Sequence, residues 1–164
     1  MSIESHNASR RTPVPADHVD VRGPRFAAWV TAAVLAMVLI ATALSPLIAA
    51  VLIALQAVVF AVGAGYGPRR HPYGRIYAEF VAPHRAPTEE TEPVAPLRFA
   101  QLIGFAFAAA SLLGFALGSP VTGAALAGTA LFVAFLNAAF GICLGCQVYP
   151  LVAQLHRNMT PASN

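Results

Sequence analysis

Four stretches of nearly unbroken apolar residues divide the chain, from about Phe26 to Leu44, Leu47 to Tyr66, Phe99 to Leu117 and Val121 to Cys143. Each is close to the roughly 20 residues that an α-helix needs to cross a hydrocarbon layer of about 30 Å. Ser45-Pro46 and Ser119-Pro120 separate the members of each pair. Pro suits the first position of a helix and Ser the cap before it, so each pair is expected to be a tight hairpin. The fold class that follows is all-α and integral to a membrane: four transmembrane helices in two hairpins, with short interfacial helices.

The segments between the spans are patterned differently. Residues 1–25 are polar without apolar periodicity and read as a mobile leader. In His71 to Pro83, residues Ile76, Tyr77, Phe80 and Val81 share a helical face, with Arg75 and Glu79 four apart on another. Leu151, Val152 and Leu155 repeat this spacing in the tail, behind Pro150 in a first-turn position. Two interfacial helices are expected there. The Pro, Thr and Glu run between Pro83 and Pro96 reads as an exposed linker. The organisation is thus a cytoplasmic leader (1–25), a first hairpin (26–66), a cytoplasmic loop (67–97), a second hairpin ending in Cys-x-x-Cys (98–146) and a cytoplasmic tail (147–164).

A repeat underlies this layout. Arg25-Phe26-Ala27 recurs as Arg98-Phe99-Ala100, Ser45-Pro46 as Ser119-Pro120, and the Gly65 to Tyr73 spacing as Gly141 to Tyr149. Hairpins that start and end on one side would be parallel repeats about an axis along the membrane normal.

Composition agrees with lipid as the solvent. Hydrophobic residues make up 57% of the chain and charged ones 10%, whereas soluble domains carry about 25% charge. All basic residues are arginines outside the apolar segments: Arg10, Arg11, Arg22 and Arg25 in the leader, Arg69, Arg70, Arg75, Arg85 and Arg98 in the loop, Arg157 in the tail. The two hairpin turns carry none. By the positive-inside rule both termini and the loop face the cytoplasm across the inner (plasma) membrane, and Glu89, Glu90 and Glu92 weigh little against this. The basicity therefore sets orientation and does not indicate a nucleic-acid partner. Ala41-Thr42-Ala43 resembles a signal-cleavage site, but the apolar run before it is longer than a signal core and follows a leader too long for one.

Reactive side chains at a meaningful spacing occur in Cys143-Leu144-Gly145-Cys146. Three apart on a helix, the two thiols are neighbours that can close a disulfide or hold a metal together. Read as the carboxyl end of the fourth helix, Cys143 is disfavoured as a thiolate. With Gly145 as terminator and Pro150 opening the next helix, Cys146 becomes the expected attacking thiol and Cys143 the resolving one, the more so if Arg69 or Arg70 comes near. Three readings stand side by side: thiol or sulfur chemistry, inert packing of small apolar residues, and metal binding with His71 and His156 or with a second cysteine pair from a homo-oligomer. In a reducing cytoplasm the pair is expected to rest as a dithiol.

The remaining features are quieter. Gln56 and Asn137 are amides within spans and read as interhelical hydrogen-bonding groups. The spans hold no Asp, Glu, Lys, Arg or His, which counts against an ion-coupled pump. Gly114 with Gly118 and Gly141 with Gly145 are small pairs suited to close helix contact. Gly63, Gly65 and Gly67 follow no strand and form no nucleotide loop, so no cofactor is implied.

Arg22-Gly23-Pro24-Arg25-Phe26-Ala27, His71-Pro72-Tyr73-Gly74, Pro96-Leu97-Arg98-Phe99-Ala100-Gln101 and Gly141-Ile142-Cys143-Leu144-Gly145-Cys146-Gln147-Val148-Tyr149 resemble the bacterial membrane proteins catalogued as domain-of-unknown-function family 4395. Leu97 stands where that family usually has proline. The resemblance implies four helices, no assigned activity, and an association with thioredoxin-like and sulfurtransferase proteins. It supports functional roles for Cys143 and Cys146. The function read from the sequence is thiol redox or sulfane-sulfur handling with a soluble partner; the alternatives are an accessory subunit without chemistry of its own and a small-solute carrier.

Overall fold

A computed structural model describes residues 17–85 and 90–159, with side chains to residue 155. Arg10, Arg11, Glu89 and the side chains of His156 and Arg157 therefore lie outside the described residues, as does most of the leader. In chain order the elements are β1 (His18–Asp20), α1 (Arg22–Leu44), α2 (Pro46–Tyr66), α3 (Pro72–Ile76), a π-helical turn Tyr77–Val81, a 3-10 turn Ala82–His84, β2 (Thr91–Pro93), α4 (Val94–Ala116), α5 (Pro120–Phe140) and α6 (Leu144–Met159). α1, α2, α4 and α5 are long and apolar enough to cross a membrane. This is a helical membrane protein.

Each long helix packs on two others: α1 on α2 and α5, and α4 on α2 and α5. With both hairpin connections short, neighbours run antiparallel and the four helices form a square, up-down-up-down bundle. The centre is built largely from small side chains, including Ala41, Ala49, Ala57, Ala108, Ala127 and Ala130, around Leu35, Val38 and Ile53. Larger residues such as Ile40, Leu47, Leu55, Val58 and Phe132 point outward. Lipid is as apolar as leucine, so burying large side chains brings no advantage and small ones let the backbones approach.

Pro46 and Pro120 open α2 and α5 at their first positions, as expected. The serines before them do not cap with their hydroxyls. Ser45 instead uses its main chain, its N–H closing α1 on the Ala41 carbonyl (2.7 Å), and the Ser119 hydroxyl lies 2.8 Å from that of Thr122. A connection this short needs the serine backbone for both helix ends.

The glycine pairs divide by use. A Cβ on Gly114 would lie 2.8 Å from the Gly123 nitrogen, and Ser111 Oγ donates to the Gly123 carbonyl at 2.7 Å, so α4 and α5 touch there. Gly118 and Gly141 instead take positive φ, at the ends of α4 and α5.

The leader and the linker are less free than their composition suggests. β1 pairs antiparallel with β2, with Val19 opposite Glu92. Three-residue strands carry too little alternation to be seen in sequence. The interfacial segments lie against the bundle, α3 on α1 and α6 on α4. α6 leaves Val148, Leu151, Val152 and Leu155 exposed.

Candidate functional site: a cysteine pair at the start of a helix

The fourth span ends at Phe140, earlier than Cys143. Gly141 takes a left-handed conformation (φ 69°, ψ 14°) and its N–H bonds the Asn137 carbonyl at 3.0 Å. This conformation is cheap for glycine and costly for other residues, which makes Gly141 the terminator and not Gly145. α6 then begins at Leu144, with Pro150 inside it and not at its opening. Both cysteines consequently lie at a helix amino end, as expected from sequence for Cys146 and opposite to the carboxyl-end placement expected for Cys143.

Cys143 occupies the capping position. Its carbonyl accepts from Gln147 N–H at 3.0 Å, and its sulfur accepts from Cys146 N–H at 3.3 Å. Helix amino ends present unpaired N–H groups and a partial positive charge, both favouring a thiolate. The two sulfurs are joined, with Cα atoms 5.2 Å apart. The pair is thus closed here, where the sequence led a dithiol to be expected. Gly145 is buried, and a Cβ there would lie 2.7 Å from Ala100 Cα, so α6 rests almost directly on the α4 backbone. Tyr149 stacks edge-on against Phe99, ring centres 5.8 Å apart, fixing the next turn.

A pocket of about 300 Å³ opens beside the pair, lined by Glu92, Pro96, Gly141, Cys143, Cys146 and Gln147 among others. Glu92 is half-buried, and desolvation raises its carboxyl above the usual range against the lowering pull of Arg25. Arg25 also lies over Gly141, where a Cβ would be 3.7 Å from its Cζ. Arg98 makes a firmer version of this contact, donating to the Ala64 and Gly65 carbonyls at 2.8 and 2.7 Å at the end of α2. Arginine at a helix carboxyl end offsets its partial negative charge. Arg69 and Arg70 are engaged elsewhere, Arg69 with the His18 carbonyl and Arg70 over the Tyr66 ring.

A second polar group sits at the same end of the bundle. His71 is 2% exposed, its ring beside the Gln101 side chain, with no well-formed hydrogen bond at either nitrogen. Burial holds it down to about pH 4, against a smaller raising contribution from Gln101. His71 and Gln101 both lie over Gly63, where a Cβ would be 2.6 Å from the His71 ring and 2.9 Å from Gln101. Tyr73 donates to Gln56 Oε1 at 2.9 Å, so this amide ties α2 to α3. A cavity of about 320 Å³ borders His71, Gln101, Arg69 and Tyr77.

His71 and the cysteines line different pockets, and among the described residues no three His, Cys, Asp or Glu side chains converge as metal ligands. Glu92, Arg25 and Gln101 were not singled out from sequence. Gln101 carries the signal that marks Gln56 and Asn137, an amide inside a span; Glu92 and Arg25 are brought in by the β1–β2 pairing and the bundle.

The family model described as Domain of unknown function (DUF4395) matches residues 19–154. The chain belongs to this family. The match takes in both hairpins, the cysteine pair and the strand carrying Glu92. No curated protein and no solved structure matches the chain.

Proposed function

We propose that the protein exchanges thiols and disulfides with a soluble partner at the cytoplasmic face of the inner membrane, through Cys143 and Cys146. The observation that carries this reading is the Cys146 N–H donated to the Cys143 sulfur at the start of α6. That donor and the helix end favour negative charge on Cys143, so Cys143 is the attacking thiol and Cys146 the resolving one. This reverses the order read from sequence, because the helix that sets the field is α6 and not α5.

In the reducing direction the Cys143 thiolate attacks a partner disulfide and expels one partner thiolate. Cys146 then attacks Cys143, the internal disulfide forms and the second partner thiolate leaves. Glu92, in the same pocket with a raised pKa, takes the Cys146 proton and returns it to the departing thiolate. Attack by Cys143 on a sulfane-sulfur donor would leave a persulfide on the same sulfur. The arginine distribution supports the cytoplasmic placement. The matched packing of α3 on α1 and α6 on α4 supports reading the two hairpins as repeats, of which the second alone carries the cysteines.

Trapping tests the mechanism. Cys146→Ser should accumulate a mixed disulfide or persulfide on Cys143, and Cys143→Ser should not. Equal yields would mean the order is wrong. No adduct in either variant under any disulfide or sulfur donor, with both thiols freely alkylated, would retire the thiol mechanism.

A further inference from the structure

Cys143 borders two spaces. One is the surface pocket; the other is a cavity of about 100 Å³ among α1, α2, α4 and α5, which reaches from Cys143 and Gly145 to Phe107 and Ala130. Ala130 stands ten residues before the end of α5, so the cavity extends about 15 Å along the spans at 1.5 Å per residue. Most of its wall is apolar. Its polar lining is Thr31, Gln101 and Asn137, from three different helices. Gln101 also borders the neighbouring cavity, where its Oε1 and the buried His71 ring lie together over Gly63.

We propose that this cavity binds the head group of a lipid-soluble quinone, which accepts electrons from the reduced cysteine pair. This rests on the exchange reading above. A space among membrane spans is filled from the lipid phase, and its occupant must suit an apolar wall with a few hydrogen-bonding groups. A quinone ring is flat and apolar with a carbonyl at either end. Asn137 and Gln101 bring side-chain amides to that wall, whose N–H groups donate to those carbonyls and whose oxygens accept from the hydroxyls they become. The redox partner is already on the wall: Cys143 lines both this cavity and the surface pocket.

The reaction balances without a further reagent. The two thiols lose two electrons and two protons and one S–S bond forms. The quinone takes up both electrons and both protons, and its two carbonyls become hydroxyls. The resulting disulfide can then oxidise a soluble dithiol at the surface pocket, and the quinol leaves into the lipid.

The full-length protein in lipid nanodiscs, reduced and freed of reductant under anaerobic conditions, is mixed with decylubiquinone. Its fully substituted ring cannot be alkylated by a thiolate, so loss of quinone absorbance reports reduction. The expected result is one quinone reduced per cysteine pair, with matching loss of alkylatable thiol. Ala134→Phe, which fills the cavity, should slow this at least tenfold while oxidation of the pair by glutathione disulfide keeps its wild-type rate. Asn137→Leu, a milder change, should raise the KM for quinone with the glutathione reaction again unchanged. If glutathione disulfide oxidises the pair and quinone does not, or if both variants reduce quinone like wild type, the quinone site is wrong and the exchange reading stands. If neither oxidant closes the pair, both fall.

Discussion

Gly145 and Ala100 bring α6 and α4 into backbone contact, with room for no side chain between them: a Cβ on Gly145 would lie 2.7 Å from Ala100 Cα and from Ala100 Cβ. This contact places the start of α6, and with it Cys143, over the end of the bundle. Gly145→Val should displace that first turn at a cost of about 1–3 kcal/mol, typical of overpacking. The expected outcome is faster proteolysis within α6 and weakened exchange at the cysteine pair, with the four spans still folded by circular dichroism. Wild-type exchange in Gly145→Val would show that the contact does not position the site.

Glu92 shares the pocket of the cysteine pair and has a raised pKa. Glu92→Gln keeps the shape and removes the carboxyl proposed to carry the proton. Steady-state exchange with a dithiol substrate should fall about tenfold to a hundredfold, the lower range of general acid–base contributions. The loss should be smaller at high pH, where Cys146 ionises without help. A pH-independent loss would assign Glu92 a structural role.

His71 gives a stability prediction with a definite sign. Its ordinary value is 6.5 and burial lowers it to about 4 in the folded protein. Between these values the unfolded chain binds a proton that the folded one refuses, so stability is full above 6.5 and declines as the pH falls toward 4. Glu92, raised by burial, acts in the opposite direction. The measurement is therefore the difference in Tm between wild type and His71→Gln across this range. The difference should shrink as the pH falls; a constant difference would contradict the lowered pKa.

The bundle could be read from the sequence because its cause is local. Long apolar runs and Ser-Pro breaks give helix number, length and hairpin turns directly, and Pro46 and Pro120 stand where that reading puts them. The site was half legible. Cys143 and Cys146 announced themselves by spacing, yet their setting turned on which of two glycines ends α5. Gly141 and Gly145 look alike in sequence; a left-handed φ marks one and contact with Ala100 the other. Glu92 reaches the site through pairing between strands more than 70 residues apart in the chain and Arg25 through the packing of α1 on α5, and no local pattern encodes either.

The proposed orientation rests on the arginines alone and has its own test. A reporter fused after Asn164 should be cytoplasmic, and one inserted between Ser45 and Pro46 or between Ser119 and Pro120 should lie on the far side. The reverse would move the cysteine pair to an oxidising compartment and make a permanently closed disulfide the expected state.

The central claim is that α6 begins at the cysteines and makes Cys143 the nucleophile. The most direct measurement is the rate of iodoacetamide labelling against pH in the two single-cysteine variants, with the protein in lipid nanodiscs. Cys143 alone, in Cys146→Ser, should titrate below the ordinary thiol value of about 8.5 and label about threefold to tenfold faster at neutral pH than Cys146 alone, the range a helix-end charge supports. Equal rates, or a lower pKa at Cys146, would contradict the account.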